Sequence, residues 1–272
     1  MTIHPRLSVN ELCSWHQTFV EDVEMWDALG IDHVGLVLSK VEAFGWDGAA
    51  TLLARHEIRV STIAGPLPDI GTVRGESDAV PREATVLEAV EFAARIGAGS
   101  VYLGTGGAAG LSWDDAARSF AEIVTPARER ARILDVALAI EPTNPLRCDR
   151  SFVFTLRDAV DLARLAGVTV CADFQSCWLE RDLHATFAAN VDAISLVQVS
   201  DYVVGTFDTP NRAVPGDGDM PVRDLLAMAL NAGYEGPFDL EVLGPRVEAE
   251  RYSAAIARSV RAVSTMLDEI GA

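Results

Sequence analysis

The chain has 272 residues, 49% of them hydrophobic, which is enough apolar material for a sizeable core in one large domain or two small ones. Forty acidic residues against 22 basic ones give a formal net charge of −18, which repels phosphate backbones and anionic lipid and so argues against nucleic acid and membranes as partners. The first residues lack a basic-then-apolar signal pattern and no unbroken apolar run nears the ~20 residues of a membrane span, so a cytoplasmic location is the expectation.

In chain order, short β-branched runs alternate with longer stretches of helical period. A strand at Leu7–Leu12 leads to a helix at Phe19–Leu29, and strands at His33–Leu38 and Arg59–Ala64 precede a helix at Pro81–Ile96. In that helix Val86, Leu87, Val90 and Ala94 make one apolar stripe. Next come a strand at Ser100–Leu103, a helix at Asp114–Leu134, a strand at Ala137–Ile140 and a helix at Thr155–Ala166. Strands at Val168–Ala172 and Ala193–Val199, a helix at Val222–Asn231, a strand at Phe238–Val242 and a helix at Val247–Ile270 complete the pattern. Gly30, Gly97, Gly167 and Gly233 stand as helix stops ahead of strands. No linker, low-complexity segment or charge block marks a boundary, so residues 1–272 read as a single domain. Eight βα units in a chain of this length predict an α/β fold, a single (β/α)8 TIM barrel, for which about 250 residues is typical. A doubly wound open sheet is the alternative.

A barrel of this kind collects its chemistry where strands end. Glu141, Asp173, Gln198 and Glu241 follow or close their strand runs, and alternation puts Ala139 with Glu141, Cys171 with Asp173, and Leu196 with Gln198 on one side of their strands. Three carboxylates brought together in a dry cavity take up protons or need a cation. The all-oxygen set suits one hard divalent metal, Mn2+ or Mg2+, rather than structural zinc.

The residues "LAIEPTNP" (138–145), "CADFQSCW" (171–178), "VQVSD" (197–201), "RAVPGDGDMP" (212–221) and "AGYEGPFDLEVLG" (232–244) resemble the xylose-isomerase-like TIM barrels, the sugar phosphate isomerase/epimerase superfamily. The resemblance implies Glu141, Asp173 and Glu241 as metal ligands, with both glutamates also acting as acid and base on a ketose. It implies a substrate or glutamate-supporting role for Arg212. Two positions depart from the family pattern: Gln198 stands where a histidine is usual, and Ser176 stands where epimerases of the group often carry another. A glutamine carbonyl can bind a metal, but it cannot titrate.

His16, after the first strand, and Lys40, the only lysine in the chain, are the candidates for the missing proton carrier or a substrate anchor. Trp15, Trp113 and Trp178 lie in or near expected βα loops, where an indole can stack on a sugar, and Asn144 and Ser176 join them as candidate substrate contacts. "GTGGAA" (104–109) fits G-x-G-x-x-[GA], but it comes mid-chain without a clear acidic partner, which disfavours a dinucleotide. Cys13, Cys148, Cys171 and Cys177 have no CxxC or zinc spacing and read as reduced thiols.

The expected activity is metal-dependent isomerisation or epimerisation of a keto-sugar or related polyol by proton abstraction beside a carbonyl. A lyase of the same fold, eliminating from a 3-keto-glycoside in the manner of C-glycoside deglycosidases or dehydratases, is the alternative. A non-catalytic barrel that binds a sugar or a partner is the reading from another class. A homo-oligomer, or a complex with a small second subunit, is compatible with each.

Overall fold

The computed structural model describes residues 3–68, 70 and 82–272. Eight strands are described: β1 (Leu7–Asn10), β2 (His33–Val37), β3 (Arg59–Ala64), β4 (Ser100–Leu103), β5 (Ala137–Ile140), β6 (Thr169–Asp173), β7 (Ile194–Val199) and β8 (Phe238–Leu240). They form a closed barrel in chain order, the (β/α)8 arrangement. The helices between them are α1 (Phe19–Leu29), α2 (Leu38–Phe44), α3 (Trp46–Arg55), α4 (Arg82–Ile96), α5 (Trp113–Leu134), α6 (Leu156–Ala166), α7 (Phe174–Cys177), α8 (Leu183–Ala188) and α9 (Val222–Asn231), with α10 (Pro245–Glu250) and α11 (Tyr252–Ile270) after β8. Among the described residues no helix is long and apolar enough to cross a membrane.

The chain divides into two compact units, one running up to Ser61 and resuming at Val197, the other spanning Thr62–Leu196. In the first, β1 pairs in parallel with β2 (Val9 opposite Val34) and with β8 (Leu7 opposite Phe238), and β7 pairs with β8 so that Gln198 lies opposite Asp239. Trp26, Leu36, Phe238 and Val260 are buried in its core. In the second, β3, β4, β5 and β6 pair in succession, with Val101 opposite Leu138 and Ala139 opposite Thr169. There Tyr102, Ala139, Cys171 and Leu196 form one buried cluster, as alternation along their strands requires.

The helix ends follow their local chemistry. Thr18 caps α1 in a reciprocal capping box with Glu21, and Gly30 closes it at φ +69°, a conformation that costs glycine nothing. The expected Val247–Ile270 helix is two helices, because Arg251 takes φ +76° and interrupts the hydrogen-bond ladder between α10 and α11. A short helix, α2, follows β2 directly, so Lys40 is helical rather than in a loop. Strand ends differ from expectation by one or two residues, as at β1, where Glu11–Ser14 turns into a 3-10 helix capped by Asn10. Pro81, the expected first residue of the fourth helix, lies outside the described residues.

Candidate active site

In the unit that holds β8 and the end of β7, three of the expected residues meet. Gln198 is fully buried near the end of β7, and its Nε2 donates to Glu241 Oε2 just beyond β8. Arg212 Nη2 lies 2.8 Å from Glu241 Oε1, and both side chains are less than a tenth exposed. Arg212 is held by its own backbone, whose N–H donates to Leu243 O (2.9 Å), and its Nη1 donates to Ser200 Oγ (3.3 Å). Because a carboxylate only accepts, the contact with Glu241 fixes which end of the Gln198 amide faces it. Gln198 Oε1 therefore points the other way, and this buried atom accepts no hydrogen bond among the described residues.

Asp201 serves a different purpose from its neighbour Gln198. Its Oδ1 accepts from Tyr202 N (2.7 Å) and Met220 N (3.0 Å), and its Oδ2 from Gly216 N (2.8 Å) and Gly218 N (3.0 Å). Four backbone donors on one buried carboxylate fold the loop "VPGDGDM". Two residues before Glu241, within β8, Asp239 is fully buried, accepting from Ser8 Oγ and from Asn10 Nδ2 (2.7 Å). Burial pushes its carboxyl up to about 6, and the hydrogen bonds from Asn10 and Ser8 hold the rise back. Asp239 was open to prediction, since in Phe238-Asp-Leu-Glu it shares a strand face with Glu241. Cys13 Sγ accepts from Val242 N (3.2 Å) and donates to Leu240 O (3.2 Å), and burial pushes its thiol far up.

Lys40 and His16 lie in this same unit. Lys40 Nζ is 2.6 Å from Asp22 Oδ2 and 4.0 Å from Glu11 Oε1. Burial pushes the Glu11 carboxyl well above the usual carboxylate range, with Lys40 opposing and Asp22 adding to the rise; burial likewise raises Asp22. Neither acid was singled out from sequence, although a lone lysine in the apolar run "LVLSKV" needs an acidic partner if it is buried. His16 is two-thirds exposed and faces Glu248 at 3.5 Å, and Trp15 beside it is half exposed.

In the other unit, Asp173 is fully buried at the end of β6 and caps α7: Oδ1 accepts from Gln175 N (3.0 Å) and Oδ2 from Ser176 Oγ (2.8 Å). Ser176 thus contacts the acid it follows. Glu141 is half-buried just after β5, its N–H donating to Leu103 O (2.9 Å). Asn144 caps a turn through Leu146 N (3.0 Å), Trp113 packs edge-on against Phe152 (6.2 Å), and Trp178 is half-buried at the end of α7. The "GTGGAA" glycines serve packing. A Cβ on Gly106 would lie 2.3 Å from Pro68 O, and the Gly106 N–H donates to Arg150 O (2.9 Å), which leaves it unavailable to a phosphate. All four cysteines are free thiols.

Of the expected metal ligands, Gln198 and Glu241 lie in one unit and Glu141 and Asp173 in the other; all are oxygen donors, and the unmatched Oε1 of Gln198 is of the kind a hard cation takes. Among the described residues, no group of three or more His, Cys, Asp or Glu side chains is drawn together that could hold a metal ion.

The sequence pattern of the xylose isomerase-like TIM barrel family matches residues 17–263. The chain belongs to that family. A protein of Sinorhizobium meliloti 1021 is 25% identical over 96% of this chain and 98% of its own, with a TM-score of 0.86. The IolI protein, solved with a bound zinc atom, is 15% identical over 97% of this chain and 98% of its own, with a TM-score of 0.80. A 3-keto-D-glucoside 4-epimerase of E. coli, solved in its apo form, is 15% identical over 94% of this chain and 98% of its own, with a TM-score of 0.71. A comparison with curated proteins finds no match. Two solved epimerases are thus similar to this chain in fold.

Proposed function

We propose that this chain is a divalent-metal-dependent isomerase or epimerase acting on a keto-sugar or related polyol. The observation that carries the reading is the Gln198–Glu241–Arg212 group: a buried carboxylate oriented on both oxygens, beside a buried carbonyl oxygen with no partner among the described residues. The proposed ligands are Glu141, Asp173, Gln198 and Glu241, taken as strand-end oxygen donors, with Mn2+ or Mg2+ as the ion. Bound there, the ion would act as a Lewis acid on a substrate carbonyl and so acidify the neighbouring C–H.

The chain's own groups then handle the proton. Glu141 and Glu241 are the proposed acid and base: one carboxylate removes the proton from carbon, and the other protonates the same carbon from the opposite face or the adjacent carbon. Return to the same carbon is epimerisation, and return to its neighbour is isomerisation. Arg212 and Gln198 Nε2 orient Glu241 before substrate arrives, which removes the need to order it during reaction. Gln198 does not titrate, so it contributes orientation and a neutral donor but no proton.

Elemental analysis of the purified protein is expected to find about one Mn2+ or Mg2+ per chain, lost in Glu241→Gln. A metal-free protein that stays folded and is indifferent to chelators would overturn the proposal. Incubating the loaded protein with keto-sugars and 3-keto-glycosides in D2O, followed by NMR, then reads the reaction type. Deuterium in recovered sugar or its epimer supports the proposal. An enone with released aglycone points instead to the elimination that begins with the same proton removal, and no exchange with any substrate counts against both.

A further inference from the structure

Lys40 is the one lysine in a chain with 22 basic residues, and its ammonium is nearly buried. Its Nζ donates to Asp22 Oδ2 (2.6 Å), to Ser14 O (3.0 Å) and to Glu11 O (3.4 Å). Three acceptors meet the three donors of a compact ammonium, a tripod that the planar fork of arginine does not match. The three side chains come from three elements: Glu11 opens the turn after β1, Asp22 lies in α1, and Lys40 lies in α2. Glu11 also ties down β2, its Oε2 accepting from Val37 N (2.7 Å).

The charges do not balance if all three groups ionise. Two carboxylates and one ammonium would leave a net negative charge where both acids are fully buried and the lysine is nearly so. Glu11 Oε1 and Asp22 Oδ1 are each buried without an N–H or hydroxyl donor of standard geometry among the described residues, and the two carboxyls lie close enough for one to hydrogen-bond the other. One proton, carried on one carboxyl and donated to the other, would satisfy both oxygens and bring the group to neutrality. The other charged or titratable groups whose fields reach the triad are Glu21 of α1, which is exposed and held by Thr18, and Tyr252 of α11.

We propose that Glu11, Asp22 and Lys40 form a buried positioning triad, neutral through one shared proton, that fixes the turn after β1 and with it Trp15 and His16. Lys40 grips that turn by the carbonyls at its two ends, Glu11 and Ser14, and the next two residues are the exposed indole and imidazole. These side chains thus follow a turn held by a buried ion group, with His16 also facing Glu248. The proposal is independent of the metal and of the substrate.

The test uses the full chain without substrate. Infrared spectroscopy of wild type with 13C-labelled glutamate and aspartate is expected to show the carbonyl band of a protonated carboxylic acid at neutral pH, and Glu11→Gln is expected to lose it. Amide hydrogen exchange across residues 11–17 is expected to keep its wild-type rate in Glu11→Gln, whose amide mimics the protonated acid, and to rise by about tenfold or more in Lys40→Arg, while β7 is unchanged. Absence of the acid band in wild type, or a band undiminished in Glu11→Gln, would overturn the shared proton. Wild-type protection of residues 11–17 in Lys40→Arg would overturn the positioning role. If Lys40→Arg fails to fold, exchange in Glu11→Gln beside Glu11→Ala decides: protection kept in the first and lost in the second supports the triad, and equal behaviour sinks it.

Discussion

Arg212 and Glu241 face each other at 2.8 Å with almost no exposure, an ion pair formed between the segment after β7 and the residue that ends the β8 run. Removing one partner of such a pair leaves a buried charge without compensation. Arg212→Ala is therefore expected to destabilise the protein by about 3–5 kcal/mol in denaturant unfolding. Arg212→Ala combined with Glu241→Gln is expected to cost less than the sum of the two single changes, because the second removes the charge that the first strands. Additive losses would show that the pair contributes little.

Gln198 gives a second prediction, about ligand chemistry. Gln198→Leu removes both the donor to Glu241 and the unmatched Oε1, whereas Gln198→His supplies a neutral nitrogen donor of the kind the family usually carries here. In titration calorimetry with Mn2+, Gln198→Leu is expected to weaken binding by about 10- to 100-fold, and Gln198→His to retain it. Equal affinity in wild type and Gln198→Leu would remove Gln198 from the proposed ligand set.

What could be read from the sequence, and what could not, follows one division. The strands were legible because runs such as Val101-Tyr102-Leu103 and Val197-Gln198-Val199 are buried throughout and bounded by helix stops. Gln198 and Glu241 were legible as polar residues at the ends of apolar strand runs, and Arg212 only through the family resemblance. Partnerships across long separations were not. Nothing local to Asp22 announces Lys40, and nothing local to Asp201 announces the N–H groups of Gly216, Gly218 and Met220, because a long-range hydrogen bond leaves no periodic trace in one sequence. The break at Arg251 is hidden for a related reason, since its positive φ belongs to a residue with no particular taste for it.

Asp201 tests whether the loop beyond β7 is built from one side chain. Asp201→Ala strands the N–H groups of Gly216, Gly218 and Met220, and is expected to cost about 3 kcal/mol of stability. Hydrogen exchange at those three amides is expected to accelerate more than exchange in α9. Asp201→Asn keeps the shape but not the charge, and is expected to fall between wild type and Asp201→Ala. Uniform acceleration across the chain in both variants would mean global destabilisation rather than a loop held by Asp201.

Glu11 supplies the pH dependence. Burial raises its carboxyl above the value it has in the unfolded chain, so the folded protein binds a proton there more readily than the unfolded one does. Stability from this group is fully present below the ordinary carboxylate range and is lost as pH rises towards and through the raised value. Glu11→Gln has no proton to lose, so it escapes that decline. Urea unfolding from about pH 5 to about pH 8 is expected to show the stability of Glu11→Gln gaining on wild type as pH rises, by at most about 1.4 kcal/mol per pH unit, the limit for one linked proton. Titrating groups outside the Glu11–Asp22–Lys40 group act on both proteins alike and cancel in the difference. Parallel stability curves over that range would show that Glu11 titrates in the folded protein as it does in the unfolded one, despite its burial beside Asp22 and Lys40.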